Sequence, residues 1–247
     1  MTKGTSSEAY DAFAYAYDRA LGERFFKAAS RMVGEALERH PTPKRTHLDV
    51  ACGTGLTVRW FRDRGWKSTG VDASIPMLQI AGGGVAGDMR ALPFRRRFAR
   101  VTCLYDSLNH LLEPEDLQAA FHSVRGVMDA DSLFLFDVNH PEIYPEVWGL
   151  SEPYIARGKD YHLEIATTYR KREKIGRAAV TGWAKINGVR VDIREQHRQR
   201  AYNEREITRM LNAAGLAPVE VLDFDPYDEG EAINAATVKL FFVARPS

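Results

Sequence analysis

The sequence predicts an α/β fold: an open, mostly parallel sheet with helices on both faces, an N-terminal helical cap and an inserted antiparallel β-meander. Three observations carry that expectation. His47-Leu48-Asp49-Val50, followed by Ala51-Cys52-Gly53-Thr54-Gly55, reads as a short buried strand running into a tight glycine turn and then a helix. Short apolar runs then alternate with helix-period segments as far as Val138, the pattern of strand–helix–strand units. After about residue 150 the period changes to strict alternation, and Asn187-Gly188 stands between two alternating runs as a two-residue hairpin turn.

With 247 residues, 45% of them hydrophobic, the chain can fill one sizeable core and carry an inserted subdomain. We divide it into a helical cap (1–42), a sheet domain (43–150 and 201–247) and an inserted sheet (151–200). The net charge of +1 argues against a surface that binds nucleic acid or membrane as a whole. The two cysteines, Cys52 and Cys103, fall at strand positions without a C-x-x-C pair or a histidine cluster. Buried free thiols in a reducing cytoplasm are therefore expected, and a metal site is not. No apolar leader and no long apolar run is seen, so neither a signal peptide nor a membrane span is expected. Met1 to Ser7 is polar and expected to be loose.

In chain order, Tyr10, Phe13 and Tyr17 share one face of a first helix. A second helix runs from Phe25 to Arg39 and stops before Pro41 and Pro43. In the glycine turn, Gly53 and Gly55 permit positive φ and let a ligand approach the backbone. The helix after it, Leu56 to Arg64, opens with N–H groups that have no internal partner. Trp66 to Val71 is the second strand. Asp72 ends it, 19 residues beyond Gly53, the distance at which nucleotide-binding α/β folds place an acidic residue on the ribose hydroxyls. The bland alternative is a helix cap, and both hold if Ser74 caps while Asp72 binds. Gly83 to Gly87 is a weak third strand, Arg95-Arg96-Arg97 a solvated turn, and Phe98 to Leu104 the fourth strand. Tyr105 to Leu111 sits at its carboxyl end, where an open sheet places its chemistry. His110 is there either a general base, since an unperturbed imidazole titrates near neutrality, or a packed helix-start histidine. Glu115 to Met128 is helical, and Ser132 to Val138 is a strand covered on both faces. His140 beyond it is a second candidate for substrate contact. The insert carries strands around Tyr161 to Tyr169, Val180 to Ile186 and Val189 to Arg194. A helix from Asn203 to Ala213 follows, with Glu206 in capping-box position and Gly215 at its end. Pro218 to Phe224 and Thr237 to Val243 close the chain around a loop at Asp225 to Glu231.

The pattern Asp49-x-Ala51-x-Gly53-x-Gly55 resembles the D/E-x-G-x-G-x-G turn of class I S-adenosylmethionine-dependent methyltransferases, with Ala51 where the first glycine stands. A dinucleotide turn would need a third glycine where this chain has Val58. Three further stretches are similar to the same family. Tyr10 to Asp18 resembles the Y-D-x-F-A-x-x-Y-D segment of small-molecule members. Asp88-Met89-Arg90-Ala91-Leu92-Pro93-Phe94 resembles their G-D-M-x-x-L-P-F loop. Tyr105 to Leu111 resembles the segment after strand four in N-methyltransferases acting on amines and amino-sugars.

The resemblance implies a Rossmann-like methyltransferase sheet that binds S-adenosyl-L-methionine and releases S-adenosyl-L-homocysteine. It assigns Asp49, Ala51, Gly53 and Gly55 to the cofactor turn, and Asp72 and Ala73 to the ribose. Ile75 and Met77 would lie against the adenine, with Asp88 and the N–H of Met89 gripping its amine and ring nitrogen. Tyr105 would form part of the cofactor wall. Tyr17, with Tyr10 second, would touch the methionine end, where a ring face also suits a sulfonium. Tyr17 and His110 are the catalytic candidates, and Tyr17 and the inserted sheet would form a lid. The expected reaction is in-line methyl transfer to a small-molecule acceptor, at nitrogen rather than oxygen. Two alternatives stand beside it. One is a tRNA or rRNA methyltransferase, motivated by 12 Lys/Arg against 6 Asp/Glu between Ser151 and Arg200, although such charges also blunt exposed sheet edges. The other is a nicotinamide-dependent dehydrogenase, against which the absent third glycine counts. No membrane partner is expected, nucleic acid only under the first alternative, and the inserted sheet could serve a homodimer.

Overall fold

The computed structural model describes residues 13–149, 152–226 and 238–247; Tyr10, Met1 to Ser7 and most of the Asp225–Glu231 loop lie outside the described residues. Seven strands form the main sheet in the order β10-β11-β5-β4-β1-β2-β3. They are β1 (Thr46–Val50), β2 (Lys67–Asp72), β3 (Val85–Ala86), β4 (Phe98–Cys103), β5 (Met128–Asn139), β10 (Leu216–Phe224) and β11 (Lys239–Pro246). The first five run parallel, and β11 joins β5 and β10 antiparallel. Strand order reverses between β1 and β4, so a crevice opens at their carboxyl ends.

Apolar side chains on both faces of β4, β5 and β11 account for their near-continuous hydrophobic runs. On one face Leu135, Phe241 and Val243 pack under helix α2 (Glu23–Arg39) and Phe61 of helix α3 (Leu56–Asp63). On the other, Phe134, Phe136 and Phe242 stack at centroid spacings of 4.6 and 4.8 Å beneath α5 (Pro114–Gly126) and α6 (Glu204–Ala213). The capping box of α6 is complete: Asn203 accepts from Glu206 N, and the Glu206 carboxylate accepts from Asn203 N. Short α4 (Ile75–Ile80) is capped by Ser74, whose hydroxyl accepts from Met77 N.

The insert is a four-stranded antiparallel sheet in the order β6-β7-β8-β9: Tyr154–Gly158, Tyr161–Arg170, Ile175–Ile186 and Val189–Arg200. Asn187 and Gly188 take φ of 51° and 82°, the left-handed pair that a tight hairpin of this twist requires. β8 and β9 are longer than their hydropathy predicts. Beyond Arg194 the inward positions of β9 are Glu195, His197 and Gln199, polar residues that no apolar alternation reveals. Several of the insert's cations are paired in place, among them Lys174 with Glu206 and Lys185 with Asp160.

At the N-terminus the structure joins what the sequence separates. Helix α1 (Ala14–Tyr17) runs through a π-helical turn (Asp18–Gly22) into α2. α2 packs on the main sheet, whereas Phe13 and Ala16 pack on the insert beside Leu163, Val180 and Ile193.

Candidate functional site

The glycine turn is a backbone cradle. Ala51, Gly53 and Gly55 all take positive φ (54°, 52° and 82°), so Ala51 adopts the left-handed backbone that a glycine would take freely. A Cβ placed on Gly53 would meet nothing nearer than Met77 Sδ at 3.9 Å, an ordinary contact distance. Asp72 ties the two strand ends together: one carboxylate oxygen accepts from Gly53 N (2.7 Å), the other from Ser74 N (2.8 Å). The carboxylate has acceptor capacity left for a further hydroxyl. Burial raises the Asp72 pKa, and backbone N–H bonds from Ser74, Gly53 and Ala73 oppose that rise.

Beneath the cradle runs a buried chain of side chains. His47 Nδ1 meets Ser68 Oγ and its Nε2 meets Thr102 Oγ1, both at 2.8 Å, and the Thr102 hydroxyl donates to Asp49 at 2.5 Å. Since Thr102 spends its one proton on Asp49, it accepts from His47, which assigns the His47 proton to Nε2. Asp49 therefore faces Thr102 inside the sheet rather than the crevice, and burial lifts its pKa to about 7. Met77 is likewise buried under the turn. The apolar side chain that stands beside Asp72 on the open side is Ile75, 49% exposed, with Ala73 next to it.

Asp88 caps the 3-10 turn Met89–Ala91 and holds Arg90 at 2.5 Å, a bond that lowers the Asp88 pKa; Arg90 also reaches Asp116. Met89 is half-buried against the core. Tyr17 lies edge-on to Phe13, at 5.5 Å between ring centres. Its neighbour Asp18, to which the sequence reading gave no role, accepts from Thr54 Oγ1 at 2.6 Å and so fastens the N-terminal helix to the glycine turn. The buried hydroxyls of Tyr105 and Thr57 meet each other beside the same turn, a contact that opposes the rise burial gives the Tyr105 pKa.

Across the crevice, at the ends of β4, β5 and β11, the construction changes. Tyr105 and Asp106 both sit at positive φ (62° and 52°), and their N–H groups donate to the two oxygens of Asp137 at 2.6 and 2.9 Å. Lys239, whose side chain is 4% exposed, bridges Asp106 (2.5 Å) and Asp137 (2.8 Å). Burial opposes its charge, but the two carboxylates outweigh that and raise its pKa. The Gln199 amide of the inserted sheet donates to Asp106 and accepts from Asn139 (2.8 Å) and Tyr144 (3.1 Å). Main sheet and insert are thus joined by one buried polar network.

His110 lies against this network, 3.4 Å from the Gln199 amide nitrogen. Burial pushes its pKa down to about 4, with Asp106 opposing and His197 assisting. The near-neutral titration expected of it does not hold, and at physiological pH it is an uncharged imidazole. His140 stands apart: its contacts are with Glu142 and the Val238 carbonyl. Cys52 and Cys103 are buried free thiols whose pKa values burial raises. Two open depressions of about 430 and 540 Å³ lie at the opposite end of the sheet, around Leu37, Glu38 and Arg64, and bring none of these groups together. Among the described residues no helix is long and apolar enough to cross a membrane, and no set of His, Cys, Asp and Glu gathers as metal ligands.

Residues 48–131 match the family model described as a methyltransferase domain, a stretch that includes the turn, Asp72, Asp88 and His110 and stops before the insert. A Geobacillus sp. (strain WCH70) protein named among methyltransferases is 34% identical over 142 residues, covering 53% of this chain and 57% of its own. The dTDP-3-amino-3,6-dideoxy-alpha-D-glucopyranose N,N-dimethyltransferase of Streptomyces fradiae is 30% identical over 167 residues, covering 64% of this chain and 63% of its own. The chain thus spans about three fifths of the length of these two relatives. A solved S-adenosylmethionine-dependent methyltransferase from Clostridium acetobutylicum shares the fold over 95% of this chain and 98% of its own, with a TM-score of 0.79 at 21% identity.

Proposed function

We propose that this chain, which belongs to the class I S-adenosylmethionine-dependent methyltransferases, methylates a small-molecule acceptor at nitrogen. The observation that carries the reading is the junction of two strand ends. Nothing approaches a Cβ position on Gly53 more closely than Met77 Sδ at 3.9 Å, and Asp72, bonded to the glycine turn, has acceptor capacity left on its carboxylate. This donor set fits an adenosyl cofactor. Asp72 would hold the ribose hydroxyls, Ile75 and Ala73 would lie along the base, and the backbone of the turn at Ala51 and Gly53 would back the methionine moiety. When bound, the cofactor supplies a methyl group on an electrophilic sulfonium.

The chain's own part is alignment and exclusion of water. Asp18 clamps the N-terminal helix to the turn, Tyr17 stands on that helix, and the inserted sheet closes the other side through Gln199. The preference for nitrogen draws on the Streptomyces relative, whose name specifies an N,N-dimethylation.

Two measurements test the reading. Calorimetry on ligand-free protein should detect S-adenosylhomocysteine binding, and absence of binding would overturn the assignment. Mass-shift assays with nucleotide-linked amino-sugars, simple amines and phenols should give methylated amines. Turnover confined to phenols would move the acceptor atom to oxygen.

A further inference from the structure

Resting on that reading, we propose that the inserted sheet supplies the proton acceptor for methyl transfer: His197, backed by Glu195, takes the proton of an acceptor that arrives as an ammonium. The substrate class is then amines that are charged in solution, which must shed a proton before they can attack.

β9 keeps its alternation past Arg194, and this turns Glu195 and His197 inward. His197 Nε2 lies 3.3 Å from a Glu195 oxygen, with side chains 6% and 8% exposed. The other Glu195 oxygen accepts from Phe13 N at 2.9 Å. The His197 ring stands 5.7 Å from Phe13 and 6.2 Å from His110. Five residues beyond Phe13, Asp18 holds Thr54 in the glycine turn. At 1.5 Å per residue that separation is roughly 7 Å. One helix therefore touches the cofactor turn at one end and the Glu195–His197 pair at the other, with Tyr17 between.

The pair is not needed to hold the insert together, because the β8–β9 backbone ladder is complete through these positions. A carboxylate beside an imidazole orients the ring and stabilises its protonated form. Among the described residues, His110 faces His197 from the other side, uncharged at neutral pH, with Asp106 and Lys239 behind it. Phe13 brings no charge.

In the step, an N–H bond of the ammonium breaks, its electron pair stays on nitrogen and the proton passes to the His197 imidazole. That pair forms the N–C bond to the methyl carbon while the S–C bond breaks, leaving a neutral thioether. The imidazolium later returns its proton to solvent, one proton for each methyl transferred.

The test compares two ligands on the full chain. Sinefungin carries an amine-bearing carbon where the cofactor has its methyl-bearing sulfur, so its ammonium stands in place of the methyl group, on the side from which the acceptor nitrogen would arrive. S-adenosylhomocysteine has nothing there. Calorimetry on each protein measures the two affinities. H197Q and E195Q should each weaken sinefungin about tenfold and S-adenosylhomocysteine less than threefold. Equal weakening of both ligands by the substitutions, or no weakening of sinefungin, would overturn the proposal and leave the pair a structural one. If H197Q fails to fold, E195Q, which keeps the imidazole, decides alone. Failure of the unchanged chain to bind either ligand would instead remove the methyltransferase reading on which the proposal stands.

Discussion

At the ends of β1 and β2 the crevice is shaped by backbone. Three consecutive-alternate residues turn left-handed, and the side chain that fixes them, Asp72, is 19 positions from the amide it holds. At the ends of β4, β5 and β11 it is shaped by buried charge. Lys239 meets Asp106 from 133 positions away and Asp137 from 102, and Gln199 reaches Asp106 across 93. A short motif can specify the first construction, because every part of it lies within one strand–helix–strand unit. The second exists only once the last strand has docked and the insert has folded back. The glycine-turn side, proposed above for the cofactor, is local, and the opposite side is assembled from the whole chain.

The contrast breaks most readily at Lys239. Lys239→Met leaves Asp106 and Asp137 buried without their cation and should cost about 3–5 kcal/mol in urea unfolding. Lys239→Arg should recover part of that loss. A cost for Lys239→Met no larger than that of an exposed ion pair would mean the acceptor side does not depend on buried charge.

Next in size is a pH effect under the cradle. Asp49 has its pKa raised to about 7 by burial, so its contribution to stability is fully present below its unfolded value near 4. That contribution is lost as pH rises toward 7 and beyond, by up to about 4 kcal/mol at 1.36 kcal/mol per unit. Buried His47, whose pKa is depressed by burial, acts with the opposite sign on the acid side, below about pH 6.5. Asp49→Asn should therefore gain on the unchanged chain between pH 4.5 and 7.5 in denaturant midpoints, and parallel pH profiles would show that Asp49 is ionised throughout.

Asp72→Ala comes third. It should weaken S-adenosylhomocysteine ten- to a hundredfold, about 1.4–3 kcal/mol of charge-assisted hydrogen bonding. Unfolding should also lose about 1–3 kcal/mol, because the Gly53 and Ser74 amides lose their acceptor. The smallest effect sharpens the picture of the turn: Ala51→Gly relieves a left-handed alanine and should stabilise by about 1 kcal/mol without loss of S-adenosylhomocysteine affinity.

The same division decides what could be read in the amino-acid string. The order of strands, the turn, the Asn187-Gly188 hairpin and the α6 capping box depend on neighbours a few residues apart, and each is visible there. Asp72 was legible because a nucleotide fold fixes its distance from the glycines. Lys239 was not, since a lysine at the start of a strand reads as an exposed edge charge. Glu195, His197 and Gln199 were missed for another reason. They continue a two-residue period with polar side chains, and hydropathy marks a buried face only when that face is apolar. His110 was found but misjudged, because sequence supplies its intrinsic basicity and not its burial.

The π-helical turn at Asp18–Gly22 has a mechanical consequence. It hangs the first helix from the second, and that short helix grips the cradle with Asp18 and the inserted sheet with Phe13. Any swing that frees Thr54 from Asp18 also draws the Phe13 amide off Glu195. The glycine turn and the inserted sheet then share a single latch.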